Sequence, residues 1–188
     1  MKNSKVIVFM LGLALSLQSY AQEKGASFSL QYKGYYYLRT QQHGDNLSLE
    51  SNGALSPTKD GAAFMSSQKN ATGTMWQLVP DANNKGWYRL KSKAAGNNKC
   101  LEANSPVDGS AKGGSSFMDD CSNVSGQLWI IELVSDKNGD NLYRLRSNAH
   151  GNDRSLEGNK PDGSRTGITF MDKTQNVTGQ MWRLVPVK

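Results

Sequence analysis

The sequence predicts an all-β protein in which three copies of a four-stranded unit close into one barrel. Three observations support this fold class. The same pattern of Tyr, Leu, Phe and Trp recurs in three successive blocks of the 188-residue chain. Apolar and polar residues alternate with a period of two inside each block, which is typical of half-buried strands. Each block also supplies one tryptophan to a shared core, and closure of the barrel would remove exposed sheet edges.

Two intervals are identical in all three blocks. The leucines of the first and second strands are 11 residues apart, and the phenylalanine of the third strand precedes the tryptophan of the fourth by 12. The stretch between the second and third strands instead varies from 14 to 16 residues and carries Pro and Asp-Gly. We interpret the constant intervals as hairpins with a fixed register and the variable stretches as surface loops. The anchor residues are Leu38, Leu49, Phe64 and Trp76, then Leu90, Leu101, Phe117 and Trp129, then Leu145, Leu156, Phe170 and Trp182.

The four strands of each block follow in the order Tyr-x-Leu, Leu-Glu, Phe-Met and Trp. The repeats occupy residues 35–81, 87–136 and 142–188. A glycine falls in the turn after the first strand and an asparagine in the turn before the fourth, at Gly44, Gly96 and Gly151 and at Asn70, Asn123 and Asn176. Residues 22–34 form an N-terminal segment, in which we expect a strand over Phe28 to Tyr32 that helps to seal the barrel. A solenoid is the competing architecture, but the third block ends without a capping unit.

The first 21 residues have the order of a secretory signal peptide. Lys2 and Lys5 precede an apolar run from Val6 to Leu17, and Ser19-Tyr20-Ala21 supplies small residues for cleavage. We therefore expect cleavage near Ala21 and a secreted or periplasmic protein. An uncleaved anchor is the alternative, although the run is short for a membrane-spanning helix. No later segment is long and apolar enough to predict membrane insertion.

Cys100 and Cys121 are the two cysteines of the chain. An even number of cysteines in an exported protein favours a disulfide, and two buried free thiols are the alternative. A zinc site would need more ligands than these cysteines and two distant histidines supply.

Two short motifs resemble the Gln-x-Trp signature of the ricin-type β-trefoil lectins. They are Gln127-Leu128-Trp129 and Gln180-Met181-Trp182, and Thr74-Met75-Trp76 is a degenerate third copy at the same spacing of 53 residues. Cys100-Leu101-Glu102 is similar to the Cys-Leu-Asp element of that family. The resemblance covers residues 35–188 and implies a β-trefoil fold, an intra-repeat disulfide between Cys100 and Cys121, and carbohydrate binding in shallow pockets.

The resemblance also implies where the sugar pockets lie, and the sequence departs from the family there. The acidic position holds Glu50, Glu102 and Glu157, where the family favours aspartate. The position of the stacking aromatic holds Ser66, Asp119 and Asp172. The galactose-type pocket is therefore not intact in any repeat.

A different polar cluster is the candidate binding site in repeats two and three, while repeat one mainly supports the fold. For the glutamates, an architectural role in which they bond turn amides in all three repeats is an equal alternative to ligand binding. For the glutamines we favour a structural role. The candidate residues are Glu102, Asp119, Asp120, Asn123 and Gln127 in repeat two, and Glu157, Asp172, Asn176 and Gln180 in repeat three.

These observations predict an exported lectin-like module that binds a glycan or polysaccharide without turnover. The alternative is a protein-binding trefoil, such as an inhibitor or a toxin delivery subunit; an accessory domain for a separate polysaccharide-degrading enzyme is a third option. His43 and His150 accompany no recognisable nucleophile, so we expect no enzyme activity. A spread net charge of +6 argues against nucleic acid, and no EF-hand spacing or cofactor motif occurs.

Overall fold

A computed structural model describes residues 33–51, 62–103, 115–137, 140–158 and 169–188. Within these ranges the regular structure consists of strands and short 3-10 turns. The predicted signal peptide, the strand expected at Phe28 to Tyr32 and nearly all of the three variable stretches lie outside the described residues.

The described chain contains twelve strands, four in each repeat, as the sequence predicted. The first and fourth strands of each repeat are β1 (Tyr36–Thr40), β4 (Trp76–Pro80), β5 (Tyr88–Ser92), β8 (Trp129–Lys137), β9 (Asp140–Ser147) and β12 (Trp182–Pro186). The second and third strands are β2 (Ser48–Glu50), β3 (Phe64–Ser66), β6 (Lys99–Glu102), β7 (Phe117–Asp120), β10 (Arg154–Glu157) and β11 (Phe170–Lys173). The first set closes into a six-stranded barrel in the order β1-β12-β9-β8-β5-β4, and the second set forms three separate two-stranded hairpins. The prediction of a closed barrel is thus confirmed over the solenoid.

The interpretation of the constant intervals as hairpins is wrong, because other strands pair with one another. β2 pairs with β3, so that Leu49 lies opposite Met65 across a stretch of variable length. β4 pairs with β5 of the next repeat, and β1 pairs with β12 at the other end of the chain. The constant intervals instead connect barrel strands to hairpin strands. Their length is fixed because each spans a set distance between two layers that are bonded to one another.

The tryptophans of the three repeats provide one of those bonds between the layers. Trp76, Trp129 and Trp182 are fully buried at 0% exposure. Each indole Nε1 donates a hydrogen bond to the carbonyl oxygen of the second-strand leucine in its own repeat, with distances of 2.7, 2.8 and 2.9 Å to Leu49, Leu101 and Leu156. A buried indole N–H requires such a partner. Each tryptophan therefore fills the core and also ties a barrel strand to a hairpin.

A ring of backbone hydrogen bonds joins the three hairpins at the pseudo-threefold axis. The amide of Ala63 donates to the carbonyl of Ser116 at 2.8 Å, Ser116 donates to Thr169 at 3.0 Å, and Thr169 donates to Ala63 at 2.9 Å. These residues directly precede the third strand in their repeats. A closed ring of this kind forms only where three equivalent segments converge, so the repeats form one body with a common core.

The predicted turn residues have the backbone conformations that their types favour. Gly44, Gly96 and Gly151 have φ angles of +57°, +77° and +57°, a region open mainly to glycine. Asn70 has a φ of +65°, and asparagine tolerates this region better than most residues. The glycine positions therefore reflect turn geometry in all three repeats, whereas among the asparagines only Asn70 has this left-handed conformation.

The two cysteines form the expected disulfide, which links β6 to the residue after β7 in repeat two. The alternative of two free thiols is thereby excluded. At the same places repeat three has Ser155 and Thr174, whose hydroxyl oxygens are 2.9 Å apart. Repeat one has Ser48 and Gln68 at these places. The same point in the fold is therefore closed by a covalent bond in repeat two and a hydrogen bond in repeat three.

Candidate functional site

The candidate cluster of repeat two is organised around the buried carboxamide of Gln127. Its Nε2 donates to Glu102 Oε2 at 2.7 Å and to the carbonyl of Asp120 at 2.8 Å. Its Oε1 accepts from the amide of Ser122 at 2.8 Å and from Arg89 Nη1 at 3.2 Å. Gln127 thus joins the second strand, the end of the third strand and the following turn.

Repeat three reproduces this arrangement with Gln180. The Nε2 atom donates to Glu157 Oε2 and to the carbonyl of Lys173, both at 2.9 Å, and Oε1 accepts from the amide of Gln175 at 2.9 Å. Glu102 and Glu157 are only 3% and 5% exposed. The glutamines therefore have the structural role that the sequence favoured, and the glutamates present little surface to a ligand.

The environment of Glu102 combines burial with a neighbouring negative charge. Burial raises the pKa of this carboxyl, the hydrogen bond from Gln127 opposes that rise, and the charge of Asp119 adds to it. The carboxylate of Asp119 is therefore close enough to interact with Glu102. The structure brings these three predicted residues together in one cluster.

The more accessible part of the cluster consists of aspartates near the end of the third strand, where Asp119 and Asp120 are exposed and Asp172 is half-buried. Asp119 Oδ1 accepts from the amide of Asp120, and Asp172 Oδ1 accepts from the amide of Lys173, both at 2.7 Å. In the part of the chain that the structure describes, the Oδ2 atoms of Asp119 and Asp172 have no hydrogen bond. Asp120 is exposed and forms an ion pair with Lys99 at 2.7 Å. Asp119 and Asp172 thus occupy equivalent places with one oxygen directed to no protein donor.

The turn asparagines make different contacts from the rest of the cluster. Asn176 Oδ1 accepts from Arg144 Nη2 at 3.0 Å, and the same Nη2 donates to the carbonyl of Gln175 at 3.2 Å. Asn176 is therefore bonded to the barrel strand β9 and not to the Glu157 cluster. Asn123 is exposed in the equivalent turn of repeat two.

Repeat one contains a surface cleft that sequence reasoning did not identify. Its volume is about 130 Å³, and apart from Tyr37 it is lined by residues of polar or charged type, whose polar and apolar atoms share the surface about equally. A signal for it was present, because repeat one departs from the other two repeats at several of the cleft positions. Tyr37 stands where they have arginine, and Gln68 stands where they have Cys121 and Thr174. The lining residues are Tyr37, Arg39, Asp45, Asn46, Ser48, Ser66, Ser67, Gln68, Lys69 and Asn70.

No group of three or more His, Cys, Asp or Glu side chains among the described residues is arranged to hold a metal ion. The acidic residues Glu102, Asp119 and Asp120 are therefore not such a group. No helix among the described residues has the length and apolar character needed to cross a bilayer.

Solved structures with the same architecture decide the fold. A designed threefold symmetric protein, ThreeFoil, matches with a TM-score of 0.62 at 24% identity, over 82% of this chain and 99% of that one. A ricin B-like lectin of Macrolepiota procera, solved in complex with lactose, matches with a TM-score of 0.56 at 12% identity, over 84% and 99%. The fold is a β-trefoil. No protein-family profile and no curated protein matches the chain.

A β-trefoil of this kind also occurs within a longer protein. The exo-β-1,3-galactanase 1,3Gal43A of Clostridium thermocellum matches with a TM-score of 0.64 at 18% identity, over 85% of this chain. The chain spans 31% of that protein. At these identities the similarity concerns the fold, and the chemistry of the sites depends on the residues of this chain.

Proposed function

We propose that this β-trefoil is a non-catalytic carbohydrate-binding protein that is exported after cleavage near Ala21. In this proposal repeats two and three each bind saccharide, at the surface around Asp119 in repeat two and at the surface around Asp172 in repeat three. The observation that carries it is the pair of equivalent carboxylates, exposed at Asp119 and half-buried at Asp172, each beside a buried Glu–Gln pair that fixes the local backbone. Similar solved β-trefoils include a lectin described in complex with lactose.

The chemistry of the two surfaces suits a sugar. A carboxylate oxygen accepts strong hydrogen bonds from hydroxyl groups, and the Oδ2 atoms of Asp119 and Asp172 are available for that purpose. The Gln127 and Gln180 networks hold the strand ends that carry them, which reduces the entropy lost on binding. Because the surfaces are shallow and polar, we expect weak binding at each, with avidity from two sites on one rigid body.

The second candidate is a protein-binding trefoil, such as an inhibitor or a toxin delivery subunit. One observation favours it: no aromatic residue occupies the stacking position, where Ser66 is buried and Asp119 is exposed. An accessory role beside a polysaccharide-degrading enzyme remains part of the carbohydrate proposal, because it changes the partner and not the ligand.

A glycan array with matched variants tests the proposal. We expect reproducible binding by the mature chain that free sugar competes, and loss of that binding in the double variant Asp119→Ala/Asp172→Ala. Asp153→Ala is the control, since it removes an exposed carboxylate from a different turn. A silent array together with capture of a defined extracellular protein would support the protein-binding alternative. Binding that survives in the double variant would refute the assignment to Asp119 and Asp172.

A further inference from the structure

We propose that the cleft of repeat one is a separate binding site for an acidic saccharide, one that carries a carboxylate or sulfate group. This inference shares with the proposed function only the class of ligand. It concerns different residues in the repeat that the sequence assigned to support of the fold. We call this surface the repeat-one cleft; its ten lining residues lie between Tyr37 and Ser48 and between Ser66 and Asn70.

The guanidinium of Arg39 is held in place on the cleft wall. Its Nε donates to Ser48 Oγ at 3.2 Å, and its Nη1 donates to Asp45 Oδ1 at 2.8 Å. The group also lies over the ring of Tyr37, 5.1 Å from the centroid. Among the described residues, Nη2 has no protein acceptor. A fixed arginine with free N–H groups is suited to bind a planar carboxylate or a sulfate.

Hydrogen-bonding groups for sugar hydroxyls lie beside this arginine. The hydroxyl of Tyr37 donates to Asn70 Oδ1 at 3.1 Å, which orients the asparagine and leaves its amide donors to a ligand. Asn70 is further held by its left-handed backbone, with φ of +65°. Gln68 is exposed on the same rim and adds a carboxamide. The cleft thus presents donors and acceptors on neighbouring sides.

The charge of the cleft favours an anion. Arg183 from β12 donates to the same Asp45 Oδ1 as Arg39 does, at 2.8 Å. These two arginines hold the pKa of Asp45 below its usual range, so its single negative charge is shared by two cations. Lys69 is exposed on the rim and forms no ion pair with any described residue. The cleft itself therefore carries two cations, Arg39 and Lys69, against one carboxylate, and Arg183 pairs with that carboxylate from outside the lining.

The equivalent positions of the other repeats make different contacts. In repeat two the disulfide occupies this place, and Arg89 donates to the carbonyl of Ser122 at 2.6 Å and to Gln127. In repeat three the hydroxyls of Ser155 and Thr174 bond one another, and Arg144 bonds the turn that contains Asn176. Repeat one lacks these contacts because it has Tyr37 and Gln68 in place of the residues that form them.

Titration calorimetry with defined saccharides tests the inference on the mature full chain. The probes are a trimer of galacturonic acid, a sulfated disaccharide and a neutral galactose trisaccharide. We expect an acidic probe to bind more tightly than the neutral one, and the two acidic probes to show which anion is preferred. Lys69→Gln should weaken that binding about tenfold, because one charged hydrogen bond is lost. Lys85→Gln, an exposed lysine in another turn, should leave it unchanged.

Several results would overturn the inference. One is failure of both acidic probes to bind, and another is binding that Lys69→Gln and Tyr37→Phe both leave intact. A third is equally tight binding of inorganic sulfate, because the saccharide would then contribute nothing to the affinity. Loss of acidic-probe binding in Asp119→Ala/Asp172→Ala but not in Lys69→Gln would also overturn it, while the proposed function would stand. Conversely, Lys69-dependent binding of an acidic probe that Asp119→Ala/Asp172→Ala leaves unchanged would support the repeat-one cleft and would refute the assignment of that ligand to Asp119 and Asp172.

Discussion

Replacement of Gln127 with alanine tests whether the buried carboxamide joins the two layers of repeat two. The change removes the donor to the Glu102 carboxylate and the partners of the Asp120 carbonyl and the Ser122 amide. It also removes the acceptor of a 3.2 Å bond from Arg89, which we leave out of the sum because that guanidinium keeps its bonds to Asp81 and to the Ser122 carbonyl. A hydrogen bond to a charged group contributes about 2 kcal/mol and each neutral one about 1 kcal/mol. We therefore expect Gln127→Ala to lower the free energy of unfolding by about 4 kcal/mol. This is a large share of the total free energy of unfolding, which is about 5–15 kcal/mol for a native protein.

Urea denaturation followed by fluorescence of the buried tryptophans measures the loss, and the repeats supply the controls. Gln180→Ala removes the same three kinds of bond in repeat three and should cost a similar amount. Thr74→Ala at the equivalent place in repeat one removes a single bond from Thr74 Oγ1 to the Ala71 carbonyl and should cost about 1 kcal/mol. A loss below about 1 kcal/mol for Gln127→Ala, or one equal to that of Thr74→Ala, would refute the reasoning.

Three further predictions concern pH, the disulfide and packing. Because the pKa of Glu102 is raised in the folded protein, the folded state binds more protons than the unfolded state above the usual carboxyl pKa, and stability falls as pH rises through the raised value. Glu102→Gln should flatten this slope in denaturation curves measured from pH 4 upward; an unchanged slope would contradict it. Replacing Cys100 with serine and Cys121 with threonine, the residues of repeat three, removes a disulfide that closes a loop across 21 residues. The free energy of unfolding should fall by about 3 kcal/mol, and a melting temperature equal to that of the parent would contradict this prediction. Gly158→Ala would place a methyl group 2.7 Å from Met65 Sδ and should lower the free energy of unfolding by about 1–3 kcal/mol. An unchanged free energy of unfolding in the same urea assay would contradict this prediction, because it would show that the core rearranges to accept the methyl group.

The candidate site combines residues whose roles depend on neighbours distant in sequence. The recurrence of Glu102 and Gln127 across repeats marked both as important, yet the pattern alone did not separate support from contact. Burial favours support, because Gln127 bonds several segments of its repeat and Glu102 is almost inaccessible. Asp119 could be placed near them from the sequence since it has a fixed position in the third strand. The repeat-one cleft could not, because its walls come from residues 37–48 and 66–70, which meet only after folding.

The amino-acid sequence by itself determined the strands, their threefold recurrence, the buried tryptophans and the partner of Cys100. These features follow from local alternation and from spacing, which the order of residues records directly. Which strands pair depends on the assembled structure, since β1 and β12 meet across the whole length of the chain and no interval reports that contact. The same holds for the cleft of repeat one, whose walls come from segments that are separate in the sequence. Pairing and burial are properties of the assembled layers, so a change such as Cys to Ser or Gln acquires its meaning only from what packs beside it.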